Sequence, residues 1–399
     1  MSRVAVVVAR FGPEISGGAE LLARLVSQQL AGRGHEVTVL TTCAEDYVTW
    51  ADALPPGESR DGALRVLRFP VRAPRDLERW NDSMQPILRL RWTDEDERRA
   101  LREQGPDTPA LLDHLREHGD EYDAVIFFTL LYLPTVAGIE LVRERSILVP
   151  TLHDELSVHL DAHARAIRAA RRVMWNTPEE RDLGERIYDV QGLRGAVAGV
   201  GIDTPPPDPA RVERVRARFG LDRPYLLYAG RIDPEKGCGE LLDWFTAWSR
   251  RDGRADLVLA GRPWMPIPED PRIHAPGFVE RDDLLGLVEG ALATVVPSRN
   301  ESLSLVLLES MAAGVPALVI ADGGVLEGHA RRSSAALSFA NAPELAAAAE
   351  LLLDEPAVRA AMGEAGRRYV AANFTWERVA VLYEEAVAAV AARPAAGRR

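Results

Sequence analysis

The stretch from Pro297 to Pro316 holds the residues best spaced for chemistry on a phosphate-bearing substrate. It reads as a strand end, a short polar loop and a helix with Glu301 and Glu309 near its start, eight positions apart. Leu292–Val296 is the incoming apolar run, Gly314 stops the helix, and Val315-Pro316-Ala317-Leu318-Val319-Ile320 opens the next strand. A ligand lying across that helix start would meet backbone N–H groups and the positive end of the dipole, which suits a phosphate. If both carboxylates were helical they would lie roughly 12 Å apart along the axis. That is the reach needed to touch hydroxylated groups on either side of a diphosphate, and a nucleotide sugar is such a molecule. In the plainer reading Glu301 favours the helix dipole and Glu309 is a surface residue. The apolar frame Leu307-Leu308-Glu309-Ser310-Met311 argues against that for Glu309. A partly buried carboxylate needs a partner, and ribose hydroxyls would serve.

Tyr228-Ala229-Gly230-Arg231-Ile232-Asp233-Pro234-Glu235-Lys236-Gly237 spans another strand end and helix start. Gly230 permits a sharp turn, and Arg231 and Lys236 bracket one loop, where they could clamp a diphosphate with a fork and a point charge or simply be two solvated surface residues. Gly17-Gly18 follows the first strand and allows close approach of phosphate or sugar oxygens, although a plain turn explains it nearly as well. Thr151-Leu152-His153-Asp154-Glu155 follows another strand. There His153 could bond a substrate hydroxyl with Asp154 or Glu155 orienting it, or Asp154 could simply cap a helix. Arg165, Arg168 and Arg172, at spacings of three, four and seven, fall on one helical face. Such a face is usually solvated, and an anionic lipid or acceptor is its other use. No H-E-x-x-H, cysteine cluster, Walker loop or G-x-S-x-G is present, so metal catalysis and acyl-enzyme chemistry lack support.

These loops need strands to hold them. At 399 residues the chain has material for two domains with a core each, and its 47% hydrophobic content is ordinary for a soluble protein. Strands are expected at Val4–Ala9, Glu36–Thr41, Leu64–Phe69, Ala124–Phe128, Ser146–Pro150, Arg172–Trp175 and Ala196–Val200. A proline-rich break at Thr204–Pro209 reads as a linker and hinge. Strands resume at Pro224–Tyr228, Asp256–Ala260, Leu292–Pro297 and Pro316–Ile320. Alternation with helices predicts parallel α/β sheets, with a ligand site in the cleft between two such units. The last helix, Thr375 to Ala392, carries Trp376, Val379, Tyr383, Val387 and Val390 on one stripe, followed by a tail expected to fray. A net charge of −12 argues against nucleic acid as a partner. The opening run reads as a strand rather than a secretory signal, and two distant cysteines fit a reducing cytoplasm.

Together these motifs resemble the large family of retaining glycosyltransferases often called family 4, whose GT-B architecture sets two Rossmann-like α/β domains facing each other across a cleft. The carriers are Gly17-Gly18, His153-Asp154, Gly199-Val200-Gly201-Ile202-Asp203, Gly230-Arg231 with Lys236-Gly237, and Glu301 to Pro316. The resemblance implies an N-terminal acceptor domain over 1–203 and a C-terminal nucleotide-sugar-binding domain over 204–375, with the helix 376–392 packing back on the first. It implies that Arg231 and Lys236 hold the donor diphosphate, Glu309 the ribose and Glu301 the donor sugar. Backbone amides across Ser302, Leu303, Ser304 and Leu305 would meet sugar and phosphates, and the strand edge Gly277-Phe278-Val279 would read the base. His153 would sit beside the transferred sugar, and Gly17 and Gly18 would approach the phosphates or acceptor. Ser304 is a departure, since many members have glycine there.

The activity so implied is metal-free, retaining transfer from a UDP- or GDP-sugar to a hydroxyl of a glycan, lipid-linked or small natural-product acceptor, with no cofactor beyond the donor. Rival readings are a repurposed protein that binds a nucleotide sugar without transfer, and an epimerase or phosphorylase of the same architecture. The location implied is cytoplasmic, with peripheral contact at the inner membrane face left open, as is the oligomeric state.

Overall fold

Two separate runs of mostly buried apolar segments build two largely parallel sheets. The computed structural model describes residues 1–15, 17–190, 192, 194–203 and 206–392, so Thr204 and Pro205 of the expected hinge and the tail 393–399 lie outside the described residues. The chain folds as two compact units, one from Met1–Val200 joined by the segment from Glu377 onward, the other Gly201–Trp376.

The first unit holds β1 (Arg3–Val7), β2 (Glu36–Thr42), β3 (Gly57–Asp61), β4 (Leu64–Phe69), β5 (Ala124–Phe128), β6 (Ser146–Val149), β7 (Arg172–Trp175) and β8 (Gly195–Val197). Their order is β3-β4-β2-β1-β5-β6-β7-β8, and every pairing is parallel except β3 with β4. Val4 to Val7 and Ala124 to Phe127 have no exposed surface, as strands covered on both faces require. β3 escapes the sequence reading because its Gly-Glu-Ser-Arg-Asp run is polar and almost wholly exposed at the sheet edge.

The second unit holds β9 (Tyr225–Ala229), β10 (Asp256–Ala260), β11 (Ile273–Gly277), β12 (Ala293–Val296), β13 (Ala317–Ile320) and β14 (Ala336–Phe339), all parallel, in the order β11-β10-β9-β12-β13-β14. This is the dinucleotide-fold order, whose strand sequence reverses between its first and fourth strands. Here those are β9 and β12.

The second unit begins at Gly201, earlier than the expected 204, because Ile202 N–H donates to the Phe374 carbonyl at 2.8 Å and a Cβ on Gly201 would fall 2.3 Å from the Trp376 ring. The final helix, Trp376–Ala391, buries Val379, Tyr383, Val387 and Val390, and its Glu384 pairs with Arg33 at 3.2 Å and His35 at 3.4 Å in the first unit. The proposed arginine face does not form. Arg165 and Arg168 sit on the helix Asp161–Ala169, whereas Arg172 opens β7. Arg165 is bound to Glu97 at 2.7 Å and Arg168 to the Tyr188 carbonyl at 2.6 Å. Among the described residues no helix is long and apolar enough to cross a membrane.

Two histidines are wholly buried, His163 in the first unit and His329, against the Tyr369 hydroxyl at 2.9 Å, in the second. Burial pushes His163 down to about 4 and His329 to about 3. Because the folded values lie below the unfolded value, the neutral rings stabilise the fold fully above about pH 6.5, and that contribution is lost as pH falls through the folded values. Urea denaturation should therefore show a loss on the order of 3 kcal/mol per histidine as pH drops from about 6.5 to about 4. A His163→Leu variant should lose part of that pH dependence.

Candidate functional site

The loops after β9 and β12 leave the carboxyl edge of the second sheet where its strand order reverses, so topology alone brings Arg231, Lys236 and Glu301 to one crevice. After β9, Asp233 organises a short turn, Pro234–Lys236. Its carboxylate accepts the Lys236 backbone N–H at 2.9 Å and also pairs with Arg231. Arg231 reaches Glu235 as well, at 3.2 Å. Gly237 then turns in the left-handed region at φ 74°, and a Cβ there would lie 2.4 Å from the Pro297 carbonyl oxygen. The turn is pressed directly against the loop after β12, so only glycine fits.

That contact places Lys236 Nζ 2.8 Å from Glu301 Oε1 and 3.4 Å from both Ser298 Oγ and the Asn300 carbonyl. The helix beyond the loop spans Leu305–Ala313, so Glu301 lies in the loop and only Glu309 is helical. The apolar run from Leu303 hides this boundary in the sequence. Ser304 is buried at the helix N-cap at φ 68°, the left-handed region that glycine prefers, and its side chain does not cap the helix. The backbone amides of the first turn are thus without a side-chain cap beside the Lys236–Glu301 pair, an arrangement suited to an anion. Ser302 and Leu303 fill the loop just before it, with Leu303 buried.

Glu309 lies deeper, its side chain 13% exposed, and its partner is Arg281 at 2.6 Å. Burial raises its pKa, opposed by Arg281. Gly277 ends β11 at φ 78°; Phe278 is exposed with Arg262 5.9 Å from its ring centroid, and Val279 turns back onto the core. Gly277, Phe278 and Val279 are therefore a strand end and loop rather than three strand residues. Three contributors were not singled out from the sequence, Asp233, Gly261 and Arg281. A Cβ on Gly261 would lie 1.8 Å from the Gly230 carbonyl oxygen. The signal was present, because β9 and β10 end in the same triplet, Ala229-Gly230-Arg231 and Ala260-Gly261-Arg262. Arg281 left no local signal at all.

In the first unit, Gly17 precedes the helix Gly18–Gly32 beside a buried ion pair, Arg10 with Glu20 at 2.5 Å. A Cβ on Gly17 would lie 2.1 Å from the Glu20 carboxylate and dislodge it, whereas Gly18 has open space around it. His153 follows β6, half-buried, and its Nδ1 is buried without a hydrogen-bond partner. Asp154 caps no helix: its carboxylate bonds His159 Nε2 at 2.9 Å, and the short turn Leu156–His159 starts without a side-chain cap.

Gly237→Ala should cost about 2–4 kcal/mol, combining left-handed strain with displacement of the Pro297 carbonyl. Thermal unfolding of the variant beside Gly239→Ala, whose Cβ would meet nothing closer than 3.8 Å, checks this. Only the first should lose stability by that amount.

Residues 211–369 match the family described as glycosyl transferases group 1. The chain is 28% identical over 397 residues to the alpha-D-kanosaminyltransferase of Streptomyces kanamyceticus, covering 92% of this chain and 99% of that one. In structure it resembles the sucrose-phosphate synthase of Thermosynechococcus elongatus with a TM-score of 0.72 at 20% identity, over 98% of this chain and 100% of that one. It also resembles HepE of Anabaena, solved with UDP and glucose, with a TM-score of 0.70 at 15% identity over 97% and 100% of the two chains. The fold is that of the GT-B glycosyltransferases, and the matches together support a glycosyltransferase of the group 1 kind.

Proposed function

We propose that the protein is a metal-independent, retaining glycosyltransferase that moves a sugar from a nucleotide diphosphate sugar to an acceptor hydroxyl. A UDP-sugar is the first choice of donor, in keeping with the UDP held by HepE, and a GDP-sugar the second. The acceptor is a glycan, a lipid-linked glycan or a small natural product. The observation that carries this reading is the meeting of Lys236 and Glu301 beside the uncapped helix start at Ser304. A cation, a carboxylate and convergent amides at a switch point suit a diphosphate with a sugar at its end.

In this reading the second unit binds the donor and the first the acceptor. The diphosphate takes Lys236 and Arg231 from their present carboxylates, which releases Glu301 to accept sugar hydroxyls. Glu309 serves the ribose, the Gly277-Phe278-Val279 edge the base, and Gly17 and Gly18 the phosphates or acceptor. The bond between the anomeric carbon and the diphosphate oxygen breaks while the acceptor oxygen bonds the same face of that carbon, and the acceptor proton passes to the departing phosphate oxygen. Lys236 and Arg231 stabilise the charge that grows there, an interaction strengthened in the transition state. His153 attends the transferred sugar.

Lys236→Ala should lower turnover by about 10²–10³-fold with an unchanged circular dichroism spectrum. Turnover near that of the parent would remove the clamp from the mechanism. A thermal-shift screen of nucleotide sugars, followed by product analysis, should show one donor class raising the melting temperature and the anomeric configuration kept in the product. Donor binding without transfer to any acceptor, or an isomerised donor, would count against this activity.

A further inference from the structure

A buried carboxylate, Glu180, lies behind the loop that carries His153. It is 1% exposed and sits three residues into the helix Pro178–Tyr188, whose N-cap hydroxyl, Thr177 Oγ1, accepts the Glu180 backbone N–H at 3.1 Å. Thr-x-x-Glu at a helix start is the capping-box pattern, which asks the glutamate only to turn back toward its own N-cap. Here it serves its N-cap through the Thr177 N–H and also reaches beyond it. Oε2 accepts the Asn176 N–H at 2.5 Å at the end of β7, while Oε1 crosses to the neighbouring loop and accepts the Leu152 N–H at 2.6 Å.

The loop it reaches is under tension. Thr151 is at φ 48° and Thr129, whose hydroxyl accepts from Thr151 Oγ1 at 3.1 Å, is at φ 68°. Both are β-branched residues in the left-handed region, a conformation that costs about 1–3 kcal/mol each and persists only where the surroundings enforce it. The carboxylate bond at Leu152 falls on the residue directly after Thr151 and directly before His153. Leu152 itself is buried in the core of the first unit. Holding an acid there works against solvation: burial raises its pKa, opposed by the N–H donors of Asn176, Leu152 and Thr177. A helix cap alone would not need that burial.

We propose that Glu180 is a positioning residue which, through the Leu152 amide, fixes the strained turn that aims His153. The inference rests on His153 serving the transferred sugar, and it assigns no contact of Glu180 with substrate.

The test is Glu180→Gln, alone and combined with His153→Ala. Glutamine keeps the shape but turns one of two acceptors into a donor facing an N–H. The single variant should lose about tenfold in kcat with the donor KM held within about twofold. In the His153→Ala background the same change should have no further effect, because nothing remains to be aimed. An equal loss in both backgrounds, or no loss in the first, overturns the proposal. Hydrogen exchange reads the clamp without activity: segment 151–155 should exchange at least tenfold faster in Glu180→Gln while β5 and β6 are unchanged, and unchanged exchange in that segment overturns the proposal too. An absence of transfer by the parent protein, with exchange in 151–155 still released by the variant, would defeat the reading of His153 and leave the clamp standing.

Discussion

Lys236 and Glu301 are 65 positions apart, and they meet because the second sheet reverses its strand order between β9 and β12. Connections leaving these two strands depart to opposite faces, which opens a crevice at their carboxyl ends and lines it with the first residues of both loops. The rest of the site depends on that reversal. Gly237 lets the first loop rest on the Pro297 carbonyl, Asp233 ties the Lys236 amide and Arg231 into one turn, and Ser304, in the left-handed region, starts a helix without a side-chain cap. Each cation already faces a carboxylate, so an incoming anion exchanges one ionic partner for another rather than meeting bare charge.

Much of this could be read from residue order. Buried parallel strands are continuous apolar runs, and every run that the sequence singles out as a strand overlaps one; β3, β11 and β14 did not announce themselves, β11 because no residue of its Ile-His-Ala-Pro-Gly run is fully buried. β3 is polar and exposed, and β14 is a four-residue segment of which only Phe339 is fully buried. Glycine stops were legible for the same reason that prolines are: they act locally. Gly314, at φ 76°, ends its helix as expected.

The failures share a cause. Glu301 reads as helical because nothing local in Ser302-Leu303-Ser304 marks the helix start at Leu305, and Arg172 reads as part of an arginine face because a spacing cannot show where a helix ends. The partners of buried acids were equally hidden. Glu309 meets Arg281 and Glu180 meets the Leu152 amide, each 28 positions away, through contacts made by strand order rather than by neighbours in sequence. The positive φ of Thr151 runs against the preference of its own side chain, so no reading of local propensity would find it.

The chain leaves its first unit at Val200 and returns to it at Glu377, which makes the second unit an insertion within the first. During synthesis, everything needed for the inserted unit has been made by residue 376, while the unit begun first still lacks the helix that carries Val379, Tyr383 and Val387 into its core. The part started earliest is finished last. Losing the helix from Glu377 onward would therefore unsettle the unit that begins at Met1, and leave the segment Gly201–Trp376 that precedes the helix intact.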